Sequence, residues 1–103
     1  MRPYYAEYVK HALRYYIKTT RNIPSEQPRF KTEAEKKNWL TAQAALKTFS
    51  ADEQEMFAAI YSENIMLSDS IRQYSERHGV HVNHIWNLVN DLEKKVAKRR
   101  GLI

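Results

Sequence analysis

The sequence predicts an all-α fold, and three observations carry that reading. Apolar residues recur at helical period in each long segment, and no alternating strand pattern appears. Two glycines and three prolines among 103 residues leave few interruptions. Two capping boxes and a glycine then divide the C-terminal part into successive helices. Five helices are expected, the last two forming a C-terminal helix-turn-helix.

The first helix is expected over residues 3–20. Tyr5, Tyr8, Val9, Ala12 and Tyr16 share a face, widened by Leu13 and Ile17, and Pro3 suits a first helical turn. Five of the seven tyrosines lie here: Tyr4, Tyr5, Tyr8, Tyr15 and Tyr16. Interleaved with Lys10, Arg14 and Lys18, they are suited to stacking on bases, although large aromatic faces more commonly cover a core. Tyr4 and Tyr15, off the main stripe, are left over for a partner. Residues 20–31 contain Asn22, Pro24, Ser25 and Pro28 and read as a loop. The expected organisation is an accessory tyrosine-rich helix over 1–21, a loop over 22–31 and a helical domain over 32–103.

Thr32 and Glu35 have the spacing of a capping box, in which each side chain satisfies the other's backbone N–H. The helix they open carries Glu35, Trp39, Ala42, Leu46 and Phe49 on one stripe, with Leu40 and Ala45 alongside. Ser50 and Glu53 repeat the box, so a third helix starts near Phe49 and runs to about Tyr61, with Met56, Phe57, Ile60 and Tyr61 inward. Asp52, Glu53 and Glu55 lie in or near its first turn, where the helix dipole favours negative charge. A connector over 62–67 is expected to carry Ile65, Met66 and Leu67 into the core.

Ser68 is the expected cap of a fourth helix with Ile71, Tyr74 and Ser75 inward. Gly79 supplies the positive φ that closes it, and Val80 tucks into the turn. Small Ser75 permits a close helix approach. The fifth helix, over about 82–99, shows Ile85, Val89, Leu92 and Val96 as one stripe with Leu88 beside it. The opposite face carries Asn83, Asn87, Asn90, Asp91, Lys94 and Lys98. An Asn side chain can bridge the donor and acceptor of an adenine edge, and lysines beyond it can neutralise phosphates. Polar residues also line any surface helix, so the wheel alone leaves both readings open.

The net charge of +5 is unevenly spread. Residues 1–49 hold ten Lys/Arg against four Asp/Glu, residues 50–70 none against five, and residues 71–103 seven against three. That basic–acidic–basic order points to two surfaces of opposite sign. With no cysteine, disulfides and thiolate metal sites are excluded. No apolar run approaches the roughly 20 residues of a membrane span, and the N-terminus lacks the unbroken apolar core of a signal peptide. A cytoplasmic protein with no membrane partner is expected.

His78, His81 and His84 recur every third residue, but no fourth ligand completes a metal set. No nucleophile elbow, phosphate-cradling glycine loop or paired-carboxylate pocket can be argued. No catalytic residue, cofactor or metal is expected.

Residues 46–99, about half the chain, resemble the C-terminal helix-turn-helix (region four) of bacterial sigma factors. Phe49-Ser50-Ala51-Asp52-Glu53-Gln54-Glu55 stands where that family opens an acidic helix, and Met56 to Tyr61 matches its apolar stretch ending in an aromatic. Gly79-Val80 occupies the turn, and Ile85, Val89, Leu92 and Val96 reproduce the spacing of the recognition helix. The run from Leu92 to Leu102 is also similar to small sigma-like proteins of Firmicutes mobile elements. His81, Val82, Trp86 and Asp91 depart from the family's pattern, and the other sigma regions are absent from the sequence.

The resemblance implies a lone DNA-binding transcriptional regulator with double-stranded DNA as partner and RNA polymerase as a second candidate. Asn83, His84 and Asn87 would face base edges. Arg72, Arg77, Lys94, Lys95, Lys98, Arg99 and Arg100 would meet phosphates, and neutralising about six phosphates would lower affinity roughly 10³-fold or more between 50 and 200 mM salt. Trp86, at the shoulder of the helix, would touch DNA, pack under the first helix or mark a partner surface. The alternative is a helical protein-interaction module, a polymerase adaptor or homo-oligomer. It would use Tyr4, Tyr15, Trp86, Asp52, Glu53 and Glu55.

Overall fold

The computed structural model describes residues 3–22, 30–63 and 65–103, with only the backbone described at Arg21 and Asn22. Five helices make up the described residues, with no strand among them: α1 (Ala6–Asn22), α2 (Glu33–Leu46), α3 (Ala51–Ser62), α4 (Leu67–His78) and α5 (Val82–Arg100). Most of the expected 22–31 loop lies outside the described residues.

α1 is not an accessory. Val9 and Leu13 are fully buried, and Tyr5 and Ile17 join them in one core with residues from all four other helices. An apolar stripe this wide needs neighbours on two sides, and α2, α3 and α5 supply them. Polar ties reinforce the contact. The Trp39 indole N–H donates to Thr19 at 2.9 Å, and the Tyr8 hydroxyl donates to Asn38 at 2.6 Å.

The start of α2 realises half of its expected box. Thr32 Oγ1 accepts from the Glu35 N–H at 3.1 Å, but the Glu35 carboxylate reaches one residue further back, accepting from the Lys31 N–H at 2.8 Å. Glu35 therefore stays at the helix rim, while Trp39, Ala42, Ala45 and Leu46 are buried. At α3 both halves form: Glu53 N–H donates to Ser50 Oγ, and Ser50 N–H donates to the Glu53 carboxylate. Phe49 packs edge-on against Phe57 with ring centroids 5.0 Å apart, which locks the short α2–α3 corner.

The start of α4 differs from expectation. Its N-cap is Met66, with no side-chain cap, and Ser68 sits exposed inside the first turn. Of the connector's apolar residues only Leu67 is buried. Ile65 lies at the border of exposure and Met66 is 70% exposed. The junction is held by Ser70 instead. Its buried hydroxyl donates to the Ile60 carbonyl at 2.7 Å, one of the last-turn α3 carbonyls that the helix cannot satisfy itself.

α4 ends as the sequence implies. Gly79 has φ +67°, its N–H donates to the Ser75 carbonyl at 2.9 Å, and Val80 packs against the core. Ser75 contributes a hydroxyl bond to the Val80 carbonyl across the turn. α5 is capped by His81, whose Nδ1 accepts from the Asn83 N–H at 3.0 Å. It closes at Gly101 (φ +81°), where Leu102 N–H reaches Ala97 and Gly101 N–H reaches Lys98. α5 runs antiparallel to α2, since Lys95 meets Thr48 and Arg100 meets Asn38.

Candidate nucleic-acid interface

The buried stripe of α5 is Ile85, Val89, Leu92 and Val96, extended by Glu93 and Ala97. That burial turns Asn83, Asn87, Asn90, Asp91, Lys94 and Lys98 to solvent, all of them exposed. At about 100° per residue, Asn83, Asn87, Lys94 and Lys98 fall within one narrow sector along the helix. His84 is exposed at the edge of that sector.

The seven cations expected to meet phosphates divide into two groups. Arg77, Lys94, Lys98 and Arg99 are exposed, and no ion pair engages them among the described residues. The other three are held within the molecule. Arg72 pairs with Asp69 at 3.3 Å. Lys95 donates to Thr48 Oγ1 at 3.0 Å, lies 4.2 Å from the Phe49 ring centroid and is 3.5 Å from Asp91. Arg100 donates through Nε to Asn38 at 2.7 Å and sits over the Tyr8 ring at 5.9 Å. The Lys95–Asp91 contact also offsets the one negative charge on the outward face.

The expected partner residues divide as well. Tyr4 is 80% exposed, its hydroxyl donating to the Leu102 carbonyl. Asp52 and Glu55 are exposed, whereas Glu53 is committed to its capping box. Trp86 is half-buried against the core and does not stand clear as a partner surface. Tyr15 is half-buried; its burial, followed by the nearby Glu35 carboxylate, raises its phenol above the ordinary tyrosine range. His81 serves as a helix cap, and His78 stacks on Tyr74 at 4.1 Å, so two of the three periodic histidines have structural partners.

Two features escape a linear reading of the sequence. Glu93 is only 1% exposed although it stands in a charged run; its place four residues after Val89 and four before Ala97 was the available signal. The second is a surface depression lined by Glu33, Ala34, Lys36, Lys37, Leu40 and Arg100, which joins α2 to the end of α5. No family model matches this chain, and neither a curated protein nor a solved structure gives a match.

Proposed function

We propose that the chain is a sequence-specific DNA-binding transcriptional regulator of the sigma-region-four type, with α4, the Gly79 turn and α5 as its helix-turn-helix. In this reading α5 enters the major groove. Asn83, His84 and Asn87 read base edges from its first turns, while Arg77, Lys94, Lys98 and Arg99 meet phosphates. The observation that carries the reading is the outward sector of α5, where exposed amides precede exposed lysines and the single carboxylate lies beside Lys95.

The test is selection from random duplexes followed by affinity measurement across salt concentrations. Asn87→Ala is expected to lose discrimination at one base position by roughly 1–3 kcal/mol. Lys98→Gln should weaken binding to every duplex alike and reduce the salt slope by about 0.9. An affinity indifferent to salt, or a selection that returns no preferred sequence, overturns the proposal.

A second reading has its own observation. Tyr4 and Met66 are large and mostly exposed, and Asp52 and Glu55 add an acidic surface on α3. These suit a protein partner such as RNA polymerase, or a second copy of the chain. Sedimentation of the chain alone and with added RNA polymerase separates those two partners.

A further inference from the structure

We propose that the depression between the N-terminal half of α2 and the end of α5 is a second DNA contact, gripping the phosphate backbone beside the segment α5 reads. The inference rests on α5 being the groove-inserted helix.

Helix length motivates it. α5 has 19 residues, so it is about 28 Å long, whereas a major groove is about 12 Å wide. If Asn83 and Asn87 reach bases, Lys94 begins about 10 Å further along the axis, and the rest of the helix emerges over a flanking strand. The cations on that emerging end lead towards α2. Arg99 lies about 100° around the helix from Lys98, on the side of Lys95, whose ammonium already bonds Thr48 at the far end of α2.

At the opposite, N-terminal end of α2 stand Lys36 and Lys37, both exposed and without an ion pair among the described residues. Arg100 shares the depression with them. Its Nε is held by Asn38, whose Oδ1 also accepts from Tyr8, and this fixes the guanidinium while no hydrogen bond engages its Nη groups among the described residues. A planar donor oriented in advance, flanked by two unpaired ammonium groups, suits phosphodiester oxygens. Among the described residues Glu33 is the only acid in the lining. Exposed Arg99, about 100° around α5 from both Lys98 and Arg100, links the depression to the outward lysines and favours the same DNA strand as the occupant over an acidic protein.

The test is a Lys36→Gln/Lys37→Gln variant of the full chain, titrated with salt on its selected duplex and on a random one. With Arg77, Lys94, Lys98, Arg99, Arg100, Lys36 and Lys37 all on phosphates, affinity should fall roughly 6,000-fold between 50 and 200 mM salt. In the variant the fall should shrink to roughly 500-fold, and the affinity lost should be equal on both duplexes. Lys37→Gln alone, expected to move the slope by about 0.9, carries the same test if the double variant melts early.

A wild-type slope in the folded variant, with Asn87→Ala still losing its base preference, overturns the second contact and leaves the α5 reading standing. A reduced slope while Asn87→Ala keeps full preference overturns base reading by α5, and with it the placing of this contact beside a segment that α5 reads. Loss of polyglutamate binding with DNA affinity unchanged would assign the depression to an acidic protein and overturn the inference.

Discussion

Replacing Gly79 by alanine tests the geometry that sets α5 against α4. The residue sits at φ +67°, and a Cβ built there meets nothing within 4 Å. The penalty is therefore conformational and not steric. Placing an L side chain in the left-handed region costs about 1–2 kcal/mol, and the stiffer unfolded chain of an alanine variant returns about 0.4–1 kcal/mol. The expected net loss is about 1 kcal/mol, which lowers the melting midpoint of a domain of this size by roughly 4–8 °C. Gly79→Asn should lose less, because asparagine tolerates this region. Gly101 provides the control, having φ +81° and the same open surroundings. It closes the last turn of α5 and joins it to no further helix among the described residues, so Gly101→Ala can relieve its strain by fraying that turn. Thermal and urea denaturation of the three variants measures these differences. A Gly79→Ala protein that melts with the wild type, or a Gly79→Asn protein as destabilised as Gly79→Ala, refutes the reasoning.

Three further outcomes are expected. Ser70→Ala removes the buried donor to the Ile60 carbonyl and should cost about 1–2 kcal/mol in urea denaturation after alanine's better helix propensity is counted; a neutral result means another group satisfies that carbonyl. His81→Ala should cost about 1 kcal/mol by uncapping α5, whereas His81→Asn should hold wild-type stability, and equal losses in both would argue against capping through Nδ1. Tyr15 should form phenolate at higher pH than an ordinary tyrosine, because burial and then Glu35 oppose its charge. Since the folded chain holds that proton more tightly, the associated stability is intact below the ordinary tyrosine range and is lost as pH rises through the raised value. Difference absorbance between wild type and Tyr15→Phe follows the titration, and Glu35→Gln should bring it down.

The boundaries of α3 and α5 were readable because local chemistry marks them. Ser50 with Glu53, the positive φ at Gly79 and the four-three-four spacing after Ile85 each involve neighbours only a turn away. Errors arose where a distant partner decides the outcome. Ser68 has cap chemistry, but the chain enters α4 two residues earlier, with Ser70 bound to Ile60 in the preceding helix. Nothing near Ile65 or Met66 in sequence indicates that Leu67 alone would be drawn inward. The stripe on α1 is visible in the sequence, but its cover by α2, α3 and α5 is not. The outward amides of α5 follow directly from its buried stripe. Tethering of Lys95 and Arg100 does not, because Thr48, Phe49 and Asn38 lie about fifty or sixty residues away.

Lys95 has a consequence for how any partner is met. Its ammonium, lodged between Thr48, Asp91 and the face of Phe49, rivets the middle of α5 to the corner where α2 passes into α3. Swinging α5 alone would mean breaking that rivet and uncovering an aromatic ring. The backbone under the outward face thus stands assembled before an encounter, and the ordering that remains on complex formation is that of its exposed side chains. Residence time on a partner should therefore depend on the quality of the contacts made, with the approach governed by the cation field.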